Sequence, residues 1–211
     1  VPNSNLILSE RIHDVLRERL VSHQIRPGDH VRQDSIATEF GMSKIPVREA
    51  LTKLEANGLV ISTHHKGYLA APLSLAEVDE LYALRMLVEP VTTALAARMA
   101  DGSQRALVRN RLEALPDAPE RLSRNALERF ELIKVLVAPA KRPTTASLIR
   151  TLFFRTERYV PLIKENSQRD IKSVRQLLEA WIAGDEAEVS NLYIARLKMR
   201  WTATRQNLGV P

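Results

Sequence analysis

The chain has 211 residues, 45% of them hydrophobic, with 31 Lys/Arg against 25 Asp/Glu, five histidines and no cysteine. That length holds a sizeable core with room for two compact domains, while the missing cysteines exclude disulfides and thiolate metal sites. No apolar run approaches the roughly 18 residues of a membrane span, and the polar opening Val1-Pro2-Asn3-Ser4-Asn5 lacks a signal peptide's regions, so a cytoplasmic protein with no membrane partner is expected.

Seven glycines, 5% aromatics and abundant Leu, Ala, Glu and Arg favour helices packed through aliphatic side chains. Leu6 to Ile25 reads as an amphipathic helix with Leu8, Ile12, Val15, Leu16 and Leu20 on one face. Arg26-Pro27-Gly28-Asp29 breaks it, and Ser35 to Phe40 forms a short helix that Gly41 closes. Ser43 suits the N-cap of a second helix, with Pro46 in its first turn, where a missing N–H costs little. That helix runs to Asn57-Gly58. Leu59 to Thr63 is β-rich, His64-His65-Lys66-Gly67 turns and Tyr68 to Ala71 returns, giving a two-stranded wing. Pro72-Leu73-Ser74 is a linker, and Ser74 with Glu77 has capping-box spacing.

Beyond Leu75 the strand signals stop. Six helices are expected, at 75–100, 103–115, 118–138, 142–163, 165–183 and 185–207, with Pro161 kinking or ending its helix. The predicted fold is mainly α: a winged helix-turn-helix over residues 1–73, joined to an all-α helical bundle over 74–211. No internal repeat interrupts it.

A helix-turn-helix places its second helix in the major groove, N-terminal residues nearest the bases. In the helix 43–57, Val47, Ala50, Leu51 and Leu54 share an inward face, leaving Ser43, Lys44, Ile45 and Arg48 at the outward end. Arg48 can grip guanine bidentately or clamp a phosphate, whereas Lys44 offers a point charge. Ile45 has only apolar surface for a thymine methyl or a sugar. Arg32 joins this set, and at the wing tip His65, Lys66 and Gly67 can approach the backbone or minor groove. Residues 1–73 hold nine Lys/Arg against eight Asp/Glu, net +1, and the remainder 22 against 17, net +5. DNA contact therefore depends on a few placed cations rather than on a diffuse basic field. Taken singly, such cations are ordinary solvated charges. The order turn, helix, glycine turn, helix, wing gives them their meaning.

Pro27-Gly28, Ile36-Ala37, Phe40-Gly41, Met42-Ser43-Lys44-Ile45-Pro46-Val47-Arg48-Glu49-Ala50-Leu51, Leu54-Glu55, Gly58-Leu59 and Gly67 together resemble the GntR family of bacterial transcription regulators. The helical remainder, with Leu84-Arg85-Met86-Leu87-Val88-Glu89-Pro90, Leu95-Ala96-Ala97 and Gly184-Asp185, resembles the FadR-type C-terminal (FCD) effector domain. The resemblance implies a homodimer on double-stranded DNA with a palindromic operator, regulated by a small-molecule effector, an organic acid being one class. A repressor is expected over an activator, because blocking a promoter needs no further contacts. Where the family usually reads Val-Ser-Arg-Thr-Pro-Val-Arg-Glu-Ala-Leu, this chain has Lys44 for arginine and Ile45 for threonine. Asp34 stands near where a DNA-contacting arginine is common, and Arg48 is retained. An operator unlike the subfamily's usual one is expected.

Many FCD domains hold a metal through one aspartate and three histidines. With Phe130 fixing the register, those positions carry Leu127 and Glu131, and counting from Gly184-Asp185 places the other two at Val174 and Arg196. All five histidines (His13, His23, His30, His64, His65) precede residue 66, so the bundle has neither imidazole nor thiolate to offer. No metal or other cofactor is expected. In its place the sequence suggests a Glu131–Arg196 ion pair and a pocket made more apolar by Leu127 and Val174. Arg85 either meets an effector carboxylate or pairs with Glu89 at i, i+4. The bundle is then a metal-free ligand domain or a dimerisation scaffold. An all-α enzyme is the third reading, disfavoured by the absence of a nucleophile elbow, a P-loop or a GxGxxG run.

Overall fold

A computed structural model of the chain describes residues 4–63, 67–116, 125–163 and 167–208. In chain order the elements are α1 (Ser4–Val21), β1 (His30–Val31), α2 (Gln33–Phe40), α3 (Lys44–Ala56), β2 (Val60–Thr63), β3 (Gly67–Ala70), α4 (Leu75–Met99), α5 (Gly102–Glu113), α6 (Ala126–Val137), α7 (Pro143–Glu157), α8 (Ser167–Ala183) and α9 (Glu186–Asn207). Short 3-10 turns follow α6 at Ala138–Ala140 and α7 at Val160–Leu162. They form two compact units. One holds the described residues up to Ser74 together with Glu157–Pro161, and the other holds the remainder.

In the first unit α1 and α3 pack through Ile12, Leu16, Leu20, Val47, Ala50, Leu51 and Leu54, all buried. The apolar spacing of α1 predicts Val15 on this face, but Val15 is 38% exposed and Arg17 is buried instead. The helix also stops at Val21 rather than at Ile25. His23 takes a left-handed backbone (φ 61°), and the Ile25 N–H closes back onto the Arg19 carbonyl at 3.0 Å. The sheet has three strands, not two, in the antiparallel order β1-β3-β2. The added strand follows from the Pro27-Gly28 turn: the Gly28 N–H donates to the Ala70 carbonyl at 2.9 Å and Ala70 N–H to the Asp29 carbonyl at 2.8 Å. Two residues carry too little pattern to announce such a strand.

The segment Glu157–Pro161 is built into this unit by polar contacts. Arg158, 2% exposed, donates to the Ala71 carbonyl at 2.8 Å, and its own carbonyl lies 2.6 Å from the His23 Nε2. The Tyr159 hydroxyl donates to the Ser74 carbonyl and accepts from the Ser74 N–H. A contiguous division at residues 73 and 74 therefore misses a return of the chain. The helix expected over 142–163 ends at Glu157 because Pro161 would set its ring against the carbonyl four residues back, which is that of Glu157.

In the second unit α4 packs along α9 and α8 along α9. Asp79 on α4 accepts from the Trp201 indole and from Arg205, both on α9. Trp181, fully buried on α8, donates its indole N–H to the Leu136 carbonyl at 3.0 Å. Asp101 caps α5 in a capping box with Gln104, Asn125 caps α6, and Asp185 caps α9. The helix expected over 118–138 is described only from Ala126, since residues 117–124 lie outside the described set. Gly184 (φ 79°) leaves space for Arg105: a Cβ there would stand 3.1 Å from its guanidinium. That guanidinium donates to the carbonyls of Ala97, Trp181 and Ile182, satisfying the C-terminal ends of α4 and α8 together.

Candidate nucleic-acid interface

Two short helices and a tight turn position the recognition residues. Gly41 closes α2 in the left-handed conformation (φ 61°), its N–H on the Thr38 carbonyl and that of Met42 on the Ala37 carbonyl. The turn delivers Ser43 in an extended conformation (φ −69°, ψ 163°), the backbone of an N-cap. Its hydroxyl makes no capping bond, contrary to the sequence expectation, so it stays exposed and available. Pro46, Val47, Ala50, Leu51 and Leu54 are buried on the inner face of α3, which fixes the rotation of the helix. Lys44, Ile45, Arg48 and Glu49 therefore face outward, Ile45 at 59% exposure.

Arg48 is exposed and has no hydrogen bond or ion pair from its guanidinium among the described residues. Lys44 differs. Its ammonium lies 2.7 Å from the Asp34 carboxylate in the first turn of α2. Lys44 is not the free point charge that the sequence reading took it for, and Asp34 was noted there only as a departure. The signal was present in opposite charges flanking the α2–α3 turn, but spacing across a turn does not reveal contact. Arg32 is exposed just before α2, with no side-chain capping bond.

On the wing, β2 and β3 pair from Thr63↔Gly67 to Val60↔Ala70. Gly67 begins β3 at φ 81° and its carbonyl accepts from the Thr63 hydroxyl at 3.1 Å. The α3 side chain of Glu55 accepts from the Ser62 N–H at 3.0 Å, tying the wing to the recognition helix. His65 and Lys66, named as wing-tip contacts, lie outside the described residues, as does His64.

In the helical unit, Arg85 is 4% exposed and grips Glu89 with Nε and Nη2, at 2.6 and 3.0 Å. Its Nη1 donates to the Thr156 hydroxyl at 2.7 Å, and the Tyr193 hydroxyl donates to Glu89 at 2.9 Å. Burial alone would disfavour the charged guanidinium, but Glu89 outweighs it and holds the Arg85 pKa above its ordinary value. Burial, reinforced by Glu89, pushes the Tyr193 phenol up. Arg85 also lies over the rings of Tyr82 and Phe153, beside a cluster of Phe130, Phe153 and Phe154 with centroids 5.1–5.3 Å apart. Of the two readings of Arg85, the geometry is that of the internal Glu89 pair.

The expected Glu131–Arg196 pair is not formed. Glu131 is exposed and meets Lys134 at 3.1 Å, three residues along α6, while Arg196 donates to the Ser173 hydroxyl. The local i, i+3 partner is nearer than one on another helix. Val174 is buried and Leu127 half-buried. The four positions do not fit a metal. Leu127 and Val174 have no donor atoms, Arg196 is cationic, and the one carboxylate is neutralised by Lys134.

The turn, the rotation of α3 and the three-stranded wing together define a winged helix, and comparison with known proteins agrees. Residues 8–69 match the family model described as "Bacterial regulatory proteins, gntR family", and residues 80–198 match the FCD domain. The chain belongs to the GntR family. It carries the family's N-terminal domain followed by an FCD domain. Among its relatives, the uncharacterized HTH-type transcriptional regulator YdhC of Bacillus subtilis is 26% identical over 125 residues, 59% of this chain and 54% of that protein. The Nta operon transcriptional regulator of Aminobacter aminovorans is 33% identical over 90 residues, 43% of each chain. The transcriptional repressor RspR of Escherichia coli is 31% identical over 97 residues, 46% of this chain and 42% of that one. The chain thus spans about half the length of the curated relatives it matches. In fold it is similar to Escherichia coli McbR/YncC, at a TM-score of 0.83 and 20% identity, covering 95% of this chain and 98% of that one. Among the described residues no helix is long and apolar enough to cross a membrane.

Proposed function

We propose that this GntR-family protein is a homodimeric repressor that reads a palindromic operator through the N-terminal end of α3, with Arg48 as its principal base-contacting residue. The observation that carries the reading is the exposed Arg48 guanidinium, without a partner among the described residues, on a helix whose opposite face is buried. Ser43, Ile45 and Arg32 surround it as accessory contacts, and Gly67 lets the wing approach the backbone. A relative of this chain, RspR, is a repressor by name, which supports that direction of control. For dimerisation, α4 leaves Leu84, Leu87 and Val91 exposed at 39, 72 and 64%, at a spacing that puts them on one helix face. A second copy of the chain covers that face, and two recognition helices then meet two half-sites.

The FCD domain works without a metal, because its donor positions hold Leu127, Glu131, Val174 and Arg196. It responds to a small molecule, an organic acid being the class first tested, or serves as a dimerisation scaffold. The closed Arg85–Glu89 fork favours an effector that does not rely on Arg85 for its carboxylate. Selection of bound duplexes from a random pool, followed by footprinting with and without a library of organic acids, tests the reading. A symmetric footprint supports the dimer, and its release by an added acid supports an effector. Footprints that no compound alters leave the domain a scaffold.

A further inference from the structure

We propose that Asp34 is a specificity-determining residue: it neutralises Lys44 at the DNA-facing end of α3 and penalises DNA that offers no amino group opposite it. The inference rests on the DNA-reading assignment above. The Asp34 carboxylate lies 2.7 Å from the Lys44 ammonium, and the two side chains are 74% and 66% exposed. Asp34 sits in the first turn of α2, where the helix dipole favours a carboxylate. Lys44 is the first residue of α3, the end of a recognition helix that lies nearest the bases. Ile36, Ala37 and Val47 are buried and α2 packs against α3, which keeps the carboxylate at that end.

An exposed pair of this kind is weak, and the ammonium leaves it readily. The field of the carboxylate does not leave. A phosphate met by Lys44 near its present position lies within a Debye length, about 10 Å at 0.1 M salt, of Asp34. A lysine on a phosphate adds about one unit to the salt dependence of binding, and an adjacent fixed carboxylate removes that gain. Non-specific complexes, held almost entirely by phosphate contacts, bear the loss without return. On base edges in the major groove a carboxylate can only accept, and only cytosine N4 and adenine N6 offer donors there. A site presenting one of these amino groups recovers what the backbone repulsion takes. Asp34 thereby separates operator from random DNA, while Arg48 supplies the uncompensated cation.

The test uses the full-length protein, an operator selected by the wild type, and a random-sequence duplex. In Asp34→Ala, affinity for the random duplex rises by about five- to tenfold and its salt dependence steepens by about one unit, while operator affinity rises less or falls. Lys44→Ala alone leaves the carboxylate uncompensated, so random-duplex affinity and its salt dependence fall, and Lys44→Ala added to Asp34→Ala reverses the gain. Unchanged random-duplex binding in Asp34→Ala overturns the inference, as do equal gains on both duplexes. If the wild type selects no sequence at all, the DNA-reading assignment fails and takes this inference with it, whatever the variants do.

Discussion

Arg48 and Arg85 are both arginines on helices, and their surroundings give them opposite work. Arg48 projects from a helix whose other face is buried, so its fork is open to a partner outside the protein. Arg85 has every nitrogen engaged by Glu89 and Thr156 in the interior. Removing one member of a buried pair strands the other charge. Arg85→Met should therefore cost about 3–5 kcal/mol in urea unfolding, whereas Arg85→Met with Glu89→Leu should cost much less. His23 supplies a pH-dependent counterpart. Burial lowers its pKa, the hydrogen bond to the Arg158 carbonyl opposes the shift, and the Arg158 charge adds to it. As pH falls through roughly 6.5 the unfolded chain binds the proton before the folded one does. Stability is then fully present above that pH and declines below it toward the folded-state pKa. Denaturation midpoints from pH 8 to 5 should show this decline in the wild type and a shallower one in His23→Asn, a replacement that tolerates the left-handed backbone.

Among the elements, the α2–α3 turn was the most legible, because Gly41 and Pro46 each have one physical reason to be there, although the Ser43 hydroxyl makes no capping bond. Phe40-Gly41 ends a helix with a left-handed residue and Ser43 to Pro46 begins another. Gly41→Ala should lower stability by more than about 1 kcal/mol in thermal or urea unfolding, although a Cβ there meets nothing within 4 Å, since the strain lies in φ alone. The α3 face, the wing hairpin and the starts of α5 and α9, expected at 103 and 185 and found at Gly102 and Glu186, were readable for the same reason: they are local. What escaped the sequence was non-local. β1 exists because Gly28 and Asp29 find Ala70, about forty residues away, and Glu157–Pro161 belongs to the winged-helix unit because Arg158 and Tyr159 find Ala71 and Ser74. The candidate site divides in the same way. The outward position of Arg48 followed from helical periodicity, but the Lys44–Asp34 contact and the local Glu131–Lys134 pair required coordinates.

For the whole molecule, the proposed regulation requires two copies acting together on one stretch of DNA. If the exposed face of α4 joins them, Leu87→Glu with Val91→Glu should yield a monomer by sedimentation velocity, with helix content retained and operator affinity lost. Retention of the dimer would place the contact elsewhere. The most direct test of the account concerns Arg48 itself: the affinity of wild-type and Arg48→Ala protein for the selected operator and for a random duplex at one salt concentration. The account predicts that Arg48→Ala weakens operator binding by about 1–3 kcal/mol, with a smaller loss on random DNA, and relaxes the preference at one base position in each half-site. Equal operator affinity in the two proteins would contradict it.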